Sequence, residues 1–154
     1  EGMQAGLSWY TVLRKREHMR SRFFDLDPEA LDAHGEAALP GWLEDPGLIR
    51  HRGKLEALIG NARAALALDQ PLPELLWQFV AHAPKQNRWR SLAQVPSSTP
   101  ASEAMSRELK RAGFRFVGPT ICYAFMQSAG LVNDHLVRCP RHTECAALAR
   151  EWAL

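Results

Sequence analysis

Two breaks close together in one segment limit the fold of this chain more than its composition does. Gly113 follows a run in which Ala101, Met105, Leu109 and Ala112 recur at spacings of three and four, the period of a helix face, so it reads as a left-handed helix stop. Gly118-Pro119 then opens a second helix, because proline suits the first helical position where its absent N–H would have no partner, and Gly130 falls where that helix should end. The segment 113–139, GFRFVGPTICYAFMQSAGLVNDHLVRC, thus predicts helix, five-residue hairpin, helix, followed by a His/Cys pair. Glycines at both ends of such a hairpin would let another backbone approach closely, and the helix start after it offers N–H groups that favour a phosphate. A plain turn between two packed helices has the same spacing, so both readings stay open here.

Elsewhere the apolar residues follow helical rather than alternating period, which predicts an all-α helical bundle with no strand. Ser8 can cap a helix from Trp9, with Trp9, Val12, Leu13, Met19, Phe23 and Phe24 near one face. Asp27-Pro28 starts a short helix ending near His34-Gly35, and Pro40-Gly41 and Asp45-Pro46-Gly47 mark turns on either side of Trp42 and Leu43. A longer helix should run from Gly53 to Leu68 and bury Leu55, Leu58, Ile59, Ala62 and Leu66. Pro73 opens the next, with Leu75, Leu76, Phe79 and Val80 inward, and Pro84 closes it. Residues 85–98 read as a long exposed loop, and Thr99-Pro100 starts the helix that leads into the hairpin.

With 154 residues, 46% of them hydrophobic, the chain is expected to form one domain over 1–154. Its net charge of +2 is too small to argue for nucleic acid, although Arg14, Lys15, Arg16, Arg20 and Arg22 crowd one segment and Arg50, His51, Arg52 and Lys54 another. Cys122, Cys139 and Cys145 do not make a disulfide framework and fit a reducing compartment, and no apolar run reaches membrane-spanning length. The chain begins at Glu1 rather than methionine, so a processed form or a fragment is an expectation.

Three residues separate His135 from Cys139, which on a helix or tight turn lets both reach one Zn²⁺; His142 and Cys145 follow at short spacings. Four local N/S donors are hard to arrange tetrahedrally without a chain reversal, so an incidental His/Cys tail is the competing reading. Glu1 and Trp9 flank the glycine-containing lead, and a carboxylate beside an indole face suits a flat, electron-poor ring; a core tryptophan is the plainer alternative. Asp134, beside His135, is the other candidate carboxylate, and a helix cap or a partner that orients His135 is its plainer alternative.

QAGLSW at 4–9, IRHRGKLEALIGNARA at 49–64 and the whole 113–139 segment together resemble the DNA-3-methyladenine glycosylase I family of the helix-hairpin-helix DNA glycosylase superfamily. The resemblance runs from Glu1 to about Cys139. It implies that Glu1 contacts the excised base, that Trp9 stacks on it, and that Gly6 and Leu7 fill the gap left by the flipped nucleotide. It likewise implies a phosphate-gripping hairpin containing Gly113, Phe114, Gly118 and Thr120, and a structural zinc site of which His135 and Cys139, in a C-terminal tail at 131–154, are one half. Family members carry an upstream stretch with the other Cys and His and further pocket aromatics, so this chain is expected to be N-terminally incomplete. His142 and Cys145 lie outside the shared motif and stay open as substitute ligands.

The activity so implied is hydrolytic release of 3-methyladenine from damaged double-stranded DNA by a cytoplasmic, DNA-associated monomer with no membrane or protein partner. No lysine nucleophile follows the hairpin, so no lyase step is expected. A non-catalytic helix-hairpin-helix DNA-binding module is the alternative, and a neighbouring alkylation-repair glycosylase of broader range is a third.

Overall fold

The computed structural model describes residues 1–152 and consists mainly of helices, in two compact units. One unit holds Glu1–Asp69 together with Leu109–Val117, and the other holds Gln70–Glu108 and the residues from Gly118 on.

The first unit begins with a 3-10 turn, Gly2–Gln4, then helix α1, Trp9–Arg22, which Ser8 caps by accepting a hydrogen bond from the Thr11 amide at 3.2 Å. Asp27 caps α2, Pro28–Glu44, in the same way through Ala30. A short helix ending near Gly35 was expected from that glycine and from Pro40; instead α2 runs through both. Gly35 is an approach point rather than a stop: a Cβ there would lie 2.7 Å from Ile59 Cγ1, so its bare backbone lets α2 pack against α3, Arg52–Leu66. The core gathers Val12, Met19, Phe23, Leu31, Leu48, Leu55, Ile59 and Trp42, whose ring meets Phe23 edge-on at 4.9 Å and whose N–H donates to Arg22 O at 3.2 Å. Trp9 and Leu13, expected on the apolar face, are 46% and 45% exposed, and Leu66 closes α3 on the exposed side. Phe24, Asp25 and Leu26 take positive φ between α1 and α2, a turn with no glycine to announce it.

In the second unit come α4, Leu72–Trp77, and a 3-10 turn, Gln78–Val80, ended by left-handed Ala81 and His82. Phe79 and Val80 are only half-buried; the buried residues are Leu75 and Trp77. The expectation of no strand is corrected here. Lys85–Gln86 (β1) and Val132–Asn133 (β2) pair in parallel, Lys85 opposite Val132, which puts the start of the presumed loop into a two-stranded ladder. Two-residue strands carry no alternation to read. Helix α5, Pro100–Arg111, starts where Thr99 and Ser102 bond reciprocally, and its buried stripe is Ser102, Met105, Ser106 and Leu109. Helix α6, Pro119–Ser128, buries Cys122, Tyr123 and Met126; α7, Pro140–Leu148, closes the unit.

Candidate functional site

Residues 1–9 form a lead held at several points. Gln4 N bonds Glu1 O at 2.8 Å and Leu7 N bonds Gln4 O at 2.7 Å, so two successive turns carry the chain to Gly6, whose φ of +72° reverses it before the Ser8 cap. Leu7 and Trp9 both stand in solvent, at 39% and 46% exposure, while Glu1 is half-buried. An indole mounted on the first turn of a capped helix is rigid and accessible, which suits a stacking platform better than a core position.

Beneath the lead lies Lys54, a residue read from sequence only as part of a basic cluster. It is 5% exposed, and its ammonium donates to Met3 O at 2.8 Å and Ala5 O at 2.5 Å. Burial pushes its pKa below the ordinary lysine value. Farther along α3, Asn61 clasps Arg115 at both its N–H (2.8 Å) and its carbonyl (3.0 Å), and Phe116 meets His51 edge-on at 6.0 Å. Thus one helix touches both the lead and the turn after α5. Lys54, Asn61 and Arg115 were missed because only their long-range partners give them meaning.

In that turn Gly113 has φ +93°, as the helix-stop reading requires. Gly118 does not match it: its φ is −63°, extended, and a Cβ would meet nothing within 4 Å. The second left-handed residue is Phe116, φ +56°. Phe114 is buried, whereas Arg115 and Thr120 are exposed.

Asp134 accepts four hydrogen bonds, from Tyr123 Oη, Gln127 Nε2, Asn87 Nδ2 and Trp89 Nε1, at 2.5, 2.8, 2.7 and 2.7 Å. Burial opposes its ionisation, but these donors outweigh that and hold its carboxyl below the usual range; burial and Asp134 together raise the Tyr123 hydroxyl. A carboxylate so saturated ties β1's following loop to α6; it has no lone pair left to act as a base. His135 Nδ1 and Cys139 Sγ stand 3.9 Å apart. Tetrahedral zinc, with Zn–N of about 2.0 Å and Zn–S of about 2.3 Å, would set two such donors roughly 3.6 Å apart, so the pair fits two corners of a site. Among the described residues no three His, Cys, Asp or Glu side chains converge on one point. His142 does not supply a third: its Nε2 lies 2.8 Å from the Asn87 carbonyl. Cys145 instead lines a groove of about 400 Å³ beside Val132, His135 and the stacked indoles of Trp77 and Trp152, 4.3 Å apart.

Half of the eight lysines and arginines in the two basic clusters meet nearby acids. Arg16 pairs with Glu17, Arg20 with Asp25, Arg22 with Asp45, and Arg52 with Glu56. Arg14 instead lies 5.6 Å over the Tyr10 ring. No helix among the described residues is long and apolar enough to cross a membrane.

Residues 1–142 match the family model described as methyladenine glycosylase. Among curated relatives, DNA-3-methyladenine glycosylase 1 of Escherichia coli is 51% identical over 142 residues, covering 90% of this chain and 76% of that protein. A crystal structure of 3-methyladenine DNA glycosylase I superposes with a TM-score of 0.88 at 48% identity, over 90% of this chain and 78% of that one. A tyrosine-to-phenylalanine variant of 3-methyladenine DNA glycosylase I, solved in complex with 3-methyladenine, gives 0.86 at 31% identity, over 90% and 76%.

Proposed function

The chain belongs to the methyladenine glycosylase family, and on that premise we propose that it excises 3-methyladenine from alkylated duplex DNA by hydrolysing the N-glycosidic bond of a flipped nucleotide. The observation that carries this reading is the exposed, capped Trp9 in a lead that also holds Glu1 and the Gly6-Leu7 reversal. Methylation at N3 makes the adenine cationic, so the base leaves readily and a carboxylate with an aromatic face discriminates in its favour. Glu1 accepts hydrogen bonds from the base and Trp9 stacks on it. Leu7, turned outward by Gly6, fills the vacated place in the duplex, and water attacks the oxocarbenium-like sugar. The chemistry is monofunctional, with no covalent lysine adduct.

The residues 113–118 with Thr120 form the hairpin of a helix-hairpin-helix motif and bind phosphate without reading sequence. His135 and Cys139 are two donors of a structural zinc centre that fastens the 134–140 turn; no step of the reaction runs through it. The protein acts as a monomer on damaged DNA in the cytoplasm.

The test is base release from methylated duplex by wild type, E1Q and W9A. Both variants should lose on the order of 100-fold in release rate while binding undamaged duplex within a factor of about two. Release unaffected by either change removes the pocket assignment.

A further inference from the structure

We propose that Lys54 is a positioning residue for base excision, holding the lead that carries Glu1, Gly6 and Leu7 in register with the phosphate-binding turn; the proposal rests on the excision reading above. A lysine 5% exposed is uncommon, and no ion pair involves it among the described residues. Burying its charge costs stability that an apolar side chain of similar shape would not cost, so what sets Lys54 apart from such a side chain is the placing of its donors. Those donors meet two acceptors. The Met3 and Ala5 carbonyls flank Gln4, whose own amide and carbonyl bond Glu1 O and Leu7 N. Fixing two carbonyls in the middle of this double turn therefore fixes Glu1 at one end and the Gly6 reversal at the other.

The opposite anchor lies on the same helix. His51 Nδ1 accepts from the Lys54 amide at 3.2 Å and its ring packs against Phe116, while Asn61 makes two hydrogen bonds to the Arg115 backbone. Gly2 completes the link, since a Cβ there would lie 3.5 Å from Phe116 Cβ and Phe116 O. Helix α3 is thus a common rod, and the distance between the inserting residue and the gripped backbone is set by side chains one to three turns apart on it. An error of about 1 Å in that register would be felt as a loss of rate far larger than the loss of binding.

Lys54→Met keeps the stem and removes the donors; Lys54→Arg restores donors with different geometry. The experiment compares single-turnover release of 3-methyladenine, affinity for undamaged duplex and hydrogen exchange of the Gln4 and Leu7 amides, with Ile59→Val as a core-destabilised control. K54M should release base on the order of 100-fold more slowly, keep duplex affinity within about twofold and exchange both amides faster, and K54R should recover part of the rate. A K54M protein with unaltered rate, or one whose rate falls no further than that of I59V, overturns the role of Lys54. A wild-type protein that releases no base overturns the excision reading itself.

Discussion

Asp45 joins α1 to the turn after α2 through one carboxylate: His18 Nε2 lies 2.9 Å away, Arg22 Nε 3.2 Å, and the Gly47 amide donates to it at 2.8 Å. The His18 hydrogen bond, assisted by Gly47 and Arg22 and opposed by burial, holds the Asp45 carboxyl below its ordinary value of 3.8. Because the folded-state value is the lower one, the stability it contributes is complete above 3.8 and is lost as pH falls through the folded value. Urea unfolding of wild type and D45N should therefore differ at neutral pH and converge in strong acid; curves that stay parallel throughout would contradict this. At this scale the sequence was legible where a residue acts on its neighbours. Ser8 and Asp27 cap helices as their positions require, and Gly113 takes the left-handed conformation. Lys54 and Asn61 could not be read, because a side chain whose partners lie about 50 residues away leaves no periodic mark.

Elements were legible in proportion to their length. The helices at 9–22, 52–66, 100–111 and 119–128 follow from apolar period and caps, whereas α2 was cut short because Gly35 and Pro40 are read as breakers. Proline in a helix costs one backbone bond, and glycine costs propensity, but packing of α2 on α3 outweighs both. The turn between α5 and α6 separates two glycines that look alike in sequence. Gly113→Ala should destabilise by about 1 kcal/mol or more, since its φ of +93° excludes a β-carbon without strain, and Gly118→Ala should leave thermal stability nearly unchanged. If G118A nevertheless weakens duplex binding, the bare backbone there serves the approach of phosphate. Equal destabilisation by the two substitutions, in thermal melts, would refute the assignment of the stop to Gly113.

For the whole molecule, part of the basic charge is held in local pairs with nearby acids. Arg16, Arg20, Arg22, Arg52, Arg63 and Arg141, six of the 19 lysines and arginines, meet carboxylates, and those six reach a phosphate only by giving up an acid. Duplex affinity, measured by fluorescence anisotropy, should fall as salt rises, because the gripping of phosphates releases counterions; an affinity independent of salt would contradict phosphate binding. His135 and Cys139, paired by their spacing in sequence, stand 3.9 Å apart, but among the described residues no third His, Cys, Asp or Glu joins them, and His142 is engaged with the Asn87 carbonyl. The family resemblance, resting on three stretches from 4 to 139, agrees with the family match over residues 1–142.

The proposed reaction is hydrolysis of the bond between a cationic purine and its sugar. Its most direct test is chromatography of the bases freed when protein in excess meets N-methylated duplex DNA. Free 3-methyladenine should appear well above the spontaneous rate, with the sugar–phosphate backbone uncut; release no faster than in the protein-free control, from a protein shown to be folded, would contradict the proposed hydrolysis.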